Sequence, residues 1–351
     1  MQLSRDDTNW LKGIAVVLMM CHHLFAFPER ILPPATYIPL WPGVDFEGTL
    51  AQFGKICVPL FLFLSGYGIA CSAQTDWRSG LSRAWRFMSQ YWFYFACLMP
   101  IGILWFPELR AFDSEAQRFN PAPSVLLPNL LGISSTYNGE WWFVEPYLLL
   151  VLASPLLLRA LLRPAVLASA SLLLFVAGAI LLGRHLDTRG ISLTGLAYWQ
   201  WPFVAGMMVR GTALPCSLAQ MARPMRLLLA AGLVLSLWLG LDKAGLVLAT
   251  PLFAWLCTGL RPAGRKADAA IQLVGRYSLP VWLVHSFLCY YYAQTLVFAP
   301  RYSPLVLVNL LLLSLLAAML LEAVRLRVFQ LFSHLFAQTS LSSPPTTKST
   351  S

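Results

Sequence analysis

Three ionisable side chains interrupt a long apolar run near the start of the sequence. Lys12, His22 and His23 lie within Trp10–Phe27, whose eighteen residues would cover about 27 Å as a helix, close to the hydrocarbon thickness of a bilayer. An ionisable group that faces lipid costs about 2.5 kcal/mol or more, so we expect all three to face protein or water. Lys12 and His23 are eleven residues apart, which leaves them about 20° apart around the helix and about 16 Å apart along it. They therefore share one face, and His22 lies off it.

His23 is a candidate general base, because a neutral imidazole can take a proton from a hydroxyl group at ordinary pH. A histidine hydrogen-bonded to a neighbouring helix is the simpler explanation of the same residue. Two acidic residues belong to the aromatic segment Gly139–Glu145, GEWWFVE. We expect Glu140 at the outer water interface and Glu145 buried about one turn deeper, where Glu145 could orient or pair with an imidazole.

Three further patterns could contact a substrate. In the run VPLFLFLSGY, the small residues Ser65 and Gly66 allow the close approach of a ligand or, more simply, of a neighbouring helix. Arg83 and Arg86 are three residues apart and could present two guanidinium groups to one phosphate, although such pairs also serve as positive-inside anchors. His285 lies about 12 Å into a predicted span, counted from its inner end.

Composition decides the class of protein. The 351 residues are 58% hydrophobic and only 11% charged, and several windows have the length of membrane spans, which predicts a polytopic helical membrane protein. The net charge of +10 comes from basic residues scattered through short loops, which indicates membrane topology and contact with anionic lipid rather than nucleic-acid binding. The seven cysteines show no CxxC or Cys/His spacing, so neither a metal site nor a disulfide is expected.

We predict an all-α membrane protein, a bundle of about ten transmembrane helices within residues 1–337. Residues 338–351 are rich in Ser and Thr and are predicted to form a disordered cytoplasmic tail. The predicted spans, in chain order, are Trp10–Phe27, Ala51–Cys71, Phe87–Phe106, Trp141–Leu162, Ala165–Leu182, Tyr198–Val209, Leu227–Leu241, Leu246–Leu260, Tyr277–Val297 and Leu305–Val324.

The basic residues predict the orientation of this bundle. Ten spans place both termini on the same side of the membrane. If that side is cytoplasmic, it holds seventeen of the 25 Lys and Arg residues and the outer side holds eight, which is the bias of the positive-inside rule. Lys12 then lies near the inner face and His23 in the outer third of the membrane.

The order of these patterns resembles the acyltransferase-3 family of integral membrane O-acyltransferases, bacterial enzymes that acylate cell-surface sugars. Lys12 and His23 have the spacing of that family's early basic residue and histidine, although the family usually has Arg at the first position. The later similarities, in chain order, are VPLFLFLSGY, Arg83–Arg86, Trp142–Phe143 and Ser278–His285. Trp282 stands where the family commonly has Tyr. The resemblance extends from Leu11 to about Leu320.

The resemblance implies an activity and roles for these residues. An acyl group, expected to be acetyl, would move from cytoplasmic acyl-coenzyme A to a hydroxyl of an extracytoplasmic glycan or lipid-linked sugar, across a bacterial cytoplasmic membrane and without a permanently bound cofactor. His23 would be the general base, oriented by Glu145 or Glu140. The phosphates of coenzyme A would be held by Lys12, Arg83 and Arg86. The passage between donor and acceptor would be lined by Ser65, Tyr67, Trp142 and His285.

Two other functions fit the same polar residues. A proton-coupled transporter or flippase of a small polar or sugar-linked substrate would also carry Lys and His on one intramembrane helix face. Such carriers typically show paired broken helices in matching halves, and the sequence does not show them. A membrane scaffold or sensor would use its polar residues only to join helices. For an acyltransferase, the loops at residues 28–49 and 107–138 are the expected acceptor-binding segments.

Overall fold

Helices make up most of the described chain. The computed structural model describes residues 2–72, 74–112, 114–182, 193–210, 231, 243–261 and 264–341. The elements, in chain order, are α1 (Arg5–Phe25), a 3₁₀ turn (Pro28–Arg30), α2 (Phe46–Gly54), α3 (Cys57–Ser72), α4 (Trp77–Trp105), β1 (Arg110–Ala111), β2 (Ser114–Gln117), α5 (Pro123–Leu130), a second 3₁₀ turn (Gly139–Phe143), α6 (Val144–Ala160), α7 (Pro164–Leu182), α8 (Leu193–Val209), α9 (Lys243–Gly259), α10 (Arg265–Arg276), α11 (Ser278–Ser286), a π-helix (Phe287–Tyr292), α12 (Gln294–Phe298) and α13 (Ser303–Leu341). β1 and β2 pair antiparallel as a small hairpin.

Helix α1 lies inside the bundle rather than against lipid. It packs against α2, α3, α9, α10, α11 and α13. Its start is defined by a capping box, in which the Ser4 hydroxyl accepts from the backbone N–H of Asp7 and the Asp7 carboxylate accepts from the backbone N–H of Ser4. Because protein surrounds α1, the polar residues Lys12, His22 and His23 need not face lipid.

Glycines allow two pairs of helices to touch backbone to backbone. On α1 and α10, a Cβ atom at Gly13 would overlap the carbonyl of Ile271, and one at Gly275 would overlap the carbonyl of Asn9. On α3 and α8, a Cβ at Gly66 would overlap the carbonyl of Phe203. Small residues at such crossings are how membrane helices pack closely. The close-packing interpretation of Gly66 is therefore confirmed.

Five segments of the described chain are long and apolar enough to cross a membrane: Phe46–Ser72, Trp77–Trp105, Gly139–Ala160, Pro164–Leu181 and Ser303–Leu331. The all-α membrane class is confirmed, whereas the predicted count of ten spans is not. Helix α1 is absent from these five because Lys12 and two histidines lower its mean hydropathy. Residues 342–351 of the predicted tail lie outside the described residues, as does the predicted span at 227–241 apart from residue 231.

Two predicted segments have a different structure. Helix α4 begins at Trp77, before the predicted span Phe87–Phe106, and Asp76 accepts a hydrogen bond from Ser79 as its N-cap. Arg83 and Arg86 therefore lie on this helix. The single predicted span at 277–297 is divided into α11, the π-helix and α12. The segment remains apolar throughout, so hydropathy contained no sign of this division.

Candidate active site

A cavity of about 670 Å³ runs along one face of α1 and contains most of the predicted site. We call it the main cavity. Lys12 and His23 both line it, about 16 Å apart along the helix. Four charged residues line it: Lys12, Arg30, Lys55 and Glu140. The shared helix face inferred from the spacing is therefore real, while the roles assigned to the two residues remain predictions.

At one end of the main cavity, His23 belongs to a chain of charged and polar contacts. Its Nδ1 lies 3.3 Å from Oε2 of Glu140, and a guanidinium nitrogen of Arg30 lies 2.9 Å from Oε1 of the same carboxylate. Glu140 and His23 are both buried, so these contacts take place in a medium that screens charge poorly. Arg30 balances the charge of Glu140, which allows the carboxylate to remain next to the imidazole ring.

The contacts of His23 favour one tautomer of its ring. Nδ1 faces two oxygens that can accept, because a carboxylate only accepts and the Tyr290 hydroxyl already donates to a carbonyl, so we assign the proton to Nδ1 and the lone pair to Nε2. The hydroxyl of Tyr290 donates to the backbone carbonyl of His23, and its oxygen lies 3.4 Å from Nδ1. Within the described chain, Nε2 has no protein hydrogen-bond partner, and the His23 side chain lines the main cavity. The arrangement is that of a general base with a free lone pair.

The burial of the two acidic residues is the reverse of the predicted order. Glu140, predicted at the water interface, is buried, and Glu145, predicted to be the deeper of the two, is only partly buried. Glu140 lies on a 3₁₀ turn, where the Asn138 side chain accepts a hydrogen bond from the backbone N–H of Glu140, and its buried carboxylate pairs with Arg30. Glu145 begins the following helix α6 and does not line the main cavity. The geometry therefore supports an orienting role for Glu140 better than one for Glu145.

Aromatic rings and a second arginine surround the His23 end of the main cavity. The π-helix supplies Tyr290 and Tyr291, and π-helices are frequent at functional sites. Arg118, from the predicted acceptor-binding loop, is buried, lies 4.7 Å over the ring of Tyr291 and donates to its hydroxyl at 3.3 Å. Arg30 lies 4.0 Å over the ring of Phe27. Two arginines and one glutamate leave this end with one net positive charge.

Two other histidines adjoin His23. The ring of His285 has its centroid 5.0 Å from that of His23, its Nδ1 donates to the carbonyl of Trp282 at 2.8 Å, and its buried Nε2 has no partner in the described chain. His285 does not itself line the main cavity. His22, expected off the functional face, does line it and hydrogen-bonds through Nδ1 to the carbonyl of Ala51 at 2.8 Å. His22 thereby connects α1 to α2.

Only two of the four predicted passage residues line the main cavity. Ser65 and Trp142 line the main cavity, and Ser65 donates to the carbonyl of Phe61 at 2.8 Å. Tyr67 lies away from it, because its hydroxyl accepts a hydrogen bond from the backbone N–H of Leu3 at 2.7 Å. The passage roles of all four predicted residues stay predictions.

Arg83 and Arg86 lie on the first turns of α4 and do not line the main cavity. Arg83 donates to the hydroxyls of Ser72 and Ser79 at 2.6 and 3.2 Å, so it closes the connection between α3 and α4. Arg86 is exposed. Both nevertheless lie within electrostatic range of Tyr147, which lines the main cavity.

A smaller cavity of about 350 Å³ adjoins the Lys12 end, and we call it the second cavity. Lys12, Ser278 and Leu279 line both cavities. The rest of its lining is mostly polar and comes from α1, α4, α10, α11 and α13: Asn9, Gln90, Gly275, Arg276, Tyr277, Pro280, Glu322, Arg325 and Leu326. The two ends of the site therefore differ: one holds His23 and aromatic rings, the other holds Lys12 and a polar recess.

The sequence analysis missed Arg30 as a site residue. Its position seven residues after His23 would place it on the same helical face, but Pro28 follows the end of α1 and breaks that periodicity. Tyr290 was missed because nothing in an apolar run marks a π-helix. The signal that pointed to a residue such as Arg30 was the predicted buried acid in Gly139–Glu145, because a buried carboxylate requires a cationic partner.

The described residues contain no group of three or more His, Cys, Asp or Glu side chains that could hold a metal ion. The described cysteines are free thiols, and Cys216 lies outside the described residues.

The arrangement defines a helical membrane protein with a buried His–Glu–Arg chain beside a cavity that reaches a cationic end. Residues 5–323 match the family model of the acyltransferase-3 type, described as an acyltransferase domain, so nearly the whole chain is covered. The chain therefore belongs to the acyltransferase-3 family, and a membrane acyltransferase is the general activity that this membership supports. It has no match among curated proteins or among solved structures.

Proposed function

We propose that this membrane acyltransferase moves an acyl group, most simply acetyl, from acyl-coenzyme A to a hydroxyl of a glycan or lipid-linked sugar. The donor is cytoplasmic, the acceptor is extracytoplasmic, and the protein lies in a bacterial cytoplasmic membrane with both termini inside. One observation carries the proposal: the Arg30–Glu140–His23 chain presents an imidazole with a free lone pair to a cavity that also reaches Lys12.

The reaction follows from the roles of the two His23 nitrogens. Nε2 accepts the proton of the acceptor hydroxyl while that oxygen attacks the thioester carbonyl carbon and forms the new C–O bond. The C–S bond then breaks, and the departing sulfur takes the proton from the imidazolium, so an ester and free coenzyme A result. Glu140 stabilises the imidazolium through Nδ1–H, and Arg30 holds the carboxylate in place.

The length of the main cavity suits a donor that enters from the Lys12 end. The pantetheine arm between the diphosphate and the sulfur has about twelve backbone bonds, which equals about four residues of extended chain, or about 14 Å. Lys12 and His23 are about 16 Å apart along α1. A phosphate held near Lys12 would therefore bring the thioester close to His23.

The general-base role is tested by His23→Ala. We expect acyl transfer to fall by a factor of about a hundred or more, since general-base catalysis contributes on that order. The measurement is the transfer of labelled acetyl from acetyl-CoA to surface glycan or lipid-linked sugar in membrane vesicles, at equal protein abundance. The matched variant is His22→Gln, which changes a neighbouring histidine of the same cavity whose Nδ1 bonds a backbone carbonyl, and it should keep most of the activity.

Retained transfer in His23→Ala would contradict the general-base role. Movement of the sugar across the membrane without covalent acylation would instead support the transporter hypothesis.

The donor role of the two arginines on α4 is a separate proposal. Arg83 and Arg86 lie within electrostatic range of Tyr147, which lines the main cavity, and this supports a contact with the nucleotide part of coenzyme A. The double variant Arg83→Gln, Arg86→Gln should raise the KM for acetyl-CoA. An unchanged KM at normal abundance would limit Arg83 to its observed bonds with Ser72 and Ser79.

A further inference from the structure

The roles proposed so far give no function to the second cavity. It adjoins the Lys12 end of the main cavity, and three residues line both: Lys12, Ser278 and Leu279. A molecule that reaches Lys12 in the main cavity therefore lies next to the second cavity.

The charges of the second cavity are unequal. Its lining contains three cations, Lys12, Arg276 and Arg325, and one anion, Glu322. Glu322 is already occupied, because it pairs with Arg325 at 2.8 Å and accepts from Gln90 at 2.6 Å. Arg325 is thereby neutralised.

Lys12 and Arg276 have no such partner. Within the described part of the chain, no carboxylate lies within 4.0 Å of either side chain. Arg276 is the last residue of α10 and is exposed, whereas Lys12 is partly buried. Two uncompensated cations on one polar cavity attract an anion with several acceptor oxygens, and a phosphate group has this chemistry.

We infer that the second cavity binds a phosphate group of the acyl-CoA donor between Lys12 and Arg276. The inference rests on the proposed function and adds Arg276 and the second cavity to it. The pantetheine arm then runs from this phosphate along α1 towards His23, over a distance that its length of about 14 Å matches. Ser278 and Leu279, which line both cavities, lie where the arm passes from one to the other.

A lipid headgroup offers the same phosphate chemistry, so the experiment separates the two sources. The full-length protein is placed in nanodiscs of phosphatidylcholine, and the Kd of coenzyme A and of adenosine 3′,5′-bisphosphate is measured for wild type and variants. Arg276→Gln should weaken binding of coenzyme A by at least about tenfold, the loss typical of a hydrogen bond to a charged group. Lys266→Gln is the matched control, since Lys266 is an exposed cation of the same helix that lines neither cavity, and it should bind as wild type does.

Two results would overturn the inference. One is an unchanged Kd in Arg276→Gln. The other is a Kd of phosphatidylglycerol that rises in Arg276→Gln while coenzyme A neither competes with this lipid nor loses affinity, because this would assign the cavity to a lipid headgroup.

Acyl transfer is measured separately on the same samples, so the two proposals can fail independently. If wild type transfers acetyl from acetyl-CoA but the Kd of coenzyme A does not depend on Arg276, the proposed function stands and this site does not. Binding of coenzyme A that depends on Arg276, with no transfer by wild type, would support the site and contradict the function.

Discussion

The two ends of the main cavity differ in how their charges are balanced. At the His23 end, Glu140 has contacts at 3.3 and 2.9 Å with His23 and Arg30, and aromatic rings enclose the group. At the other end, Lys12 has no carboxylate within 4.0 Å in the described part of the chain and adjoins a polar cavity. We call the His23 end, where the acid has its cationic partners, the complete end. We call the Lys12 end, where the cation has no carboxylate partner in the described chain, the incomplete end.

This difference corresponds to two kinds of task. A group that moves a proton works best when its orientation and charge are arranged before the substrate arrives, because no reorganisation is then needed during the reaction. A group that binds an anion works best when its charge is neutralised by the ligand itself, because a resident carboxylate would compete with it. In the proposed mechanism, proton transfer and donor binding are thus separated along a single helix.

The largest expected effect comes from breaking the complete end. In Glu140→Gln, the carboxylate that stabilises the imidazolium is lost, so we expect turnover to fall on the order of a hundredfold to ten-thousandfold. The KM for acetyl-CoA should change little, because the proposed donor site lies at the other end. Steady-state kinetics with labelled acetyl-CoA provide the measurement.

Glu145→Gln removes the same charge from the neighbouring acid and should have a smaller effect. A larger loss there than in Glu140→Gln would assign the orienting role to Glu145 and contradict the pairing with Glu140.

An intermediate effect is expected at the incomplete end. Lys12→Met should raise the KM for acetyl-CoA by at least about tenfold with a smaller change in kcat, because it removes one charged hydrogen-bond donor to phosphate. Lys12→Arg should restore the KM. A fall in kcat at constant KM, or a failure of Arg to rescue, would show that Lys12 acts on the chemistry or on packing instead.

The smallest effect concerns a surface ion-pair network that fixes the start of α1. Arg261 donates to Asp7 at 2.7 Å and to Asp268 at 2.8 Å, so Arg261→Gln should lower the free energy of unfolding by about 1 kcal/mol or less. The hydrogen bond from Arg261 holds the pKa of Asp268 below its ordinary value of 3.8. The stabilisation is therefore present above that value and lost as the pH falls through the lowered pKa.

Thermal unfolding in detergent would check this network. Wild type and Arg261→Gln should differ at neutral pH and converge at strongly acidic pH. A difference that persists in acid would mean that Arg261 stabilises the protein through contacts other than those with the two aspartates.

Much of this architecture was predictable from local patterns. The apolar runs indicated a helical membrane protein, and the spacing of Lys12 and His23 placed both on the face that lines the main cavity. The number of spans could not be confirmed, because a helix such as α1 that is enclosed by protein no longer needs a uniformly apolar sequence. The motif around Ser65 allowed two interpretations, and the structure confirms the close packing of Gly66 against α8. Ser65 lines the main cavity, but the approach of a ligand to it stays a prediction.

The sequence by itself determined the class of protein, its central helix and the relative position of Lys12 and His23, because helical periodicity and hydropathy act over a few turns of chain. Only the tertiary structure decided which acid faces His23, that Arg30 supports it and that Arg276 adjoins Lys12. The physical reason is distance along the chain: Arg30 and Glu140 are 110 residues apart, and the π-helix that carries Tyr290 lies 267 residues after His23. Such partners meet through the packing of whole helices, which no local pattern records.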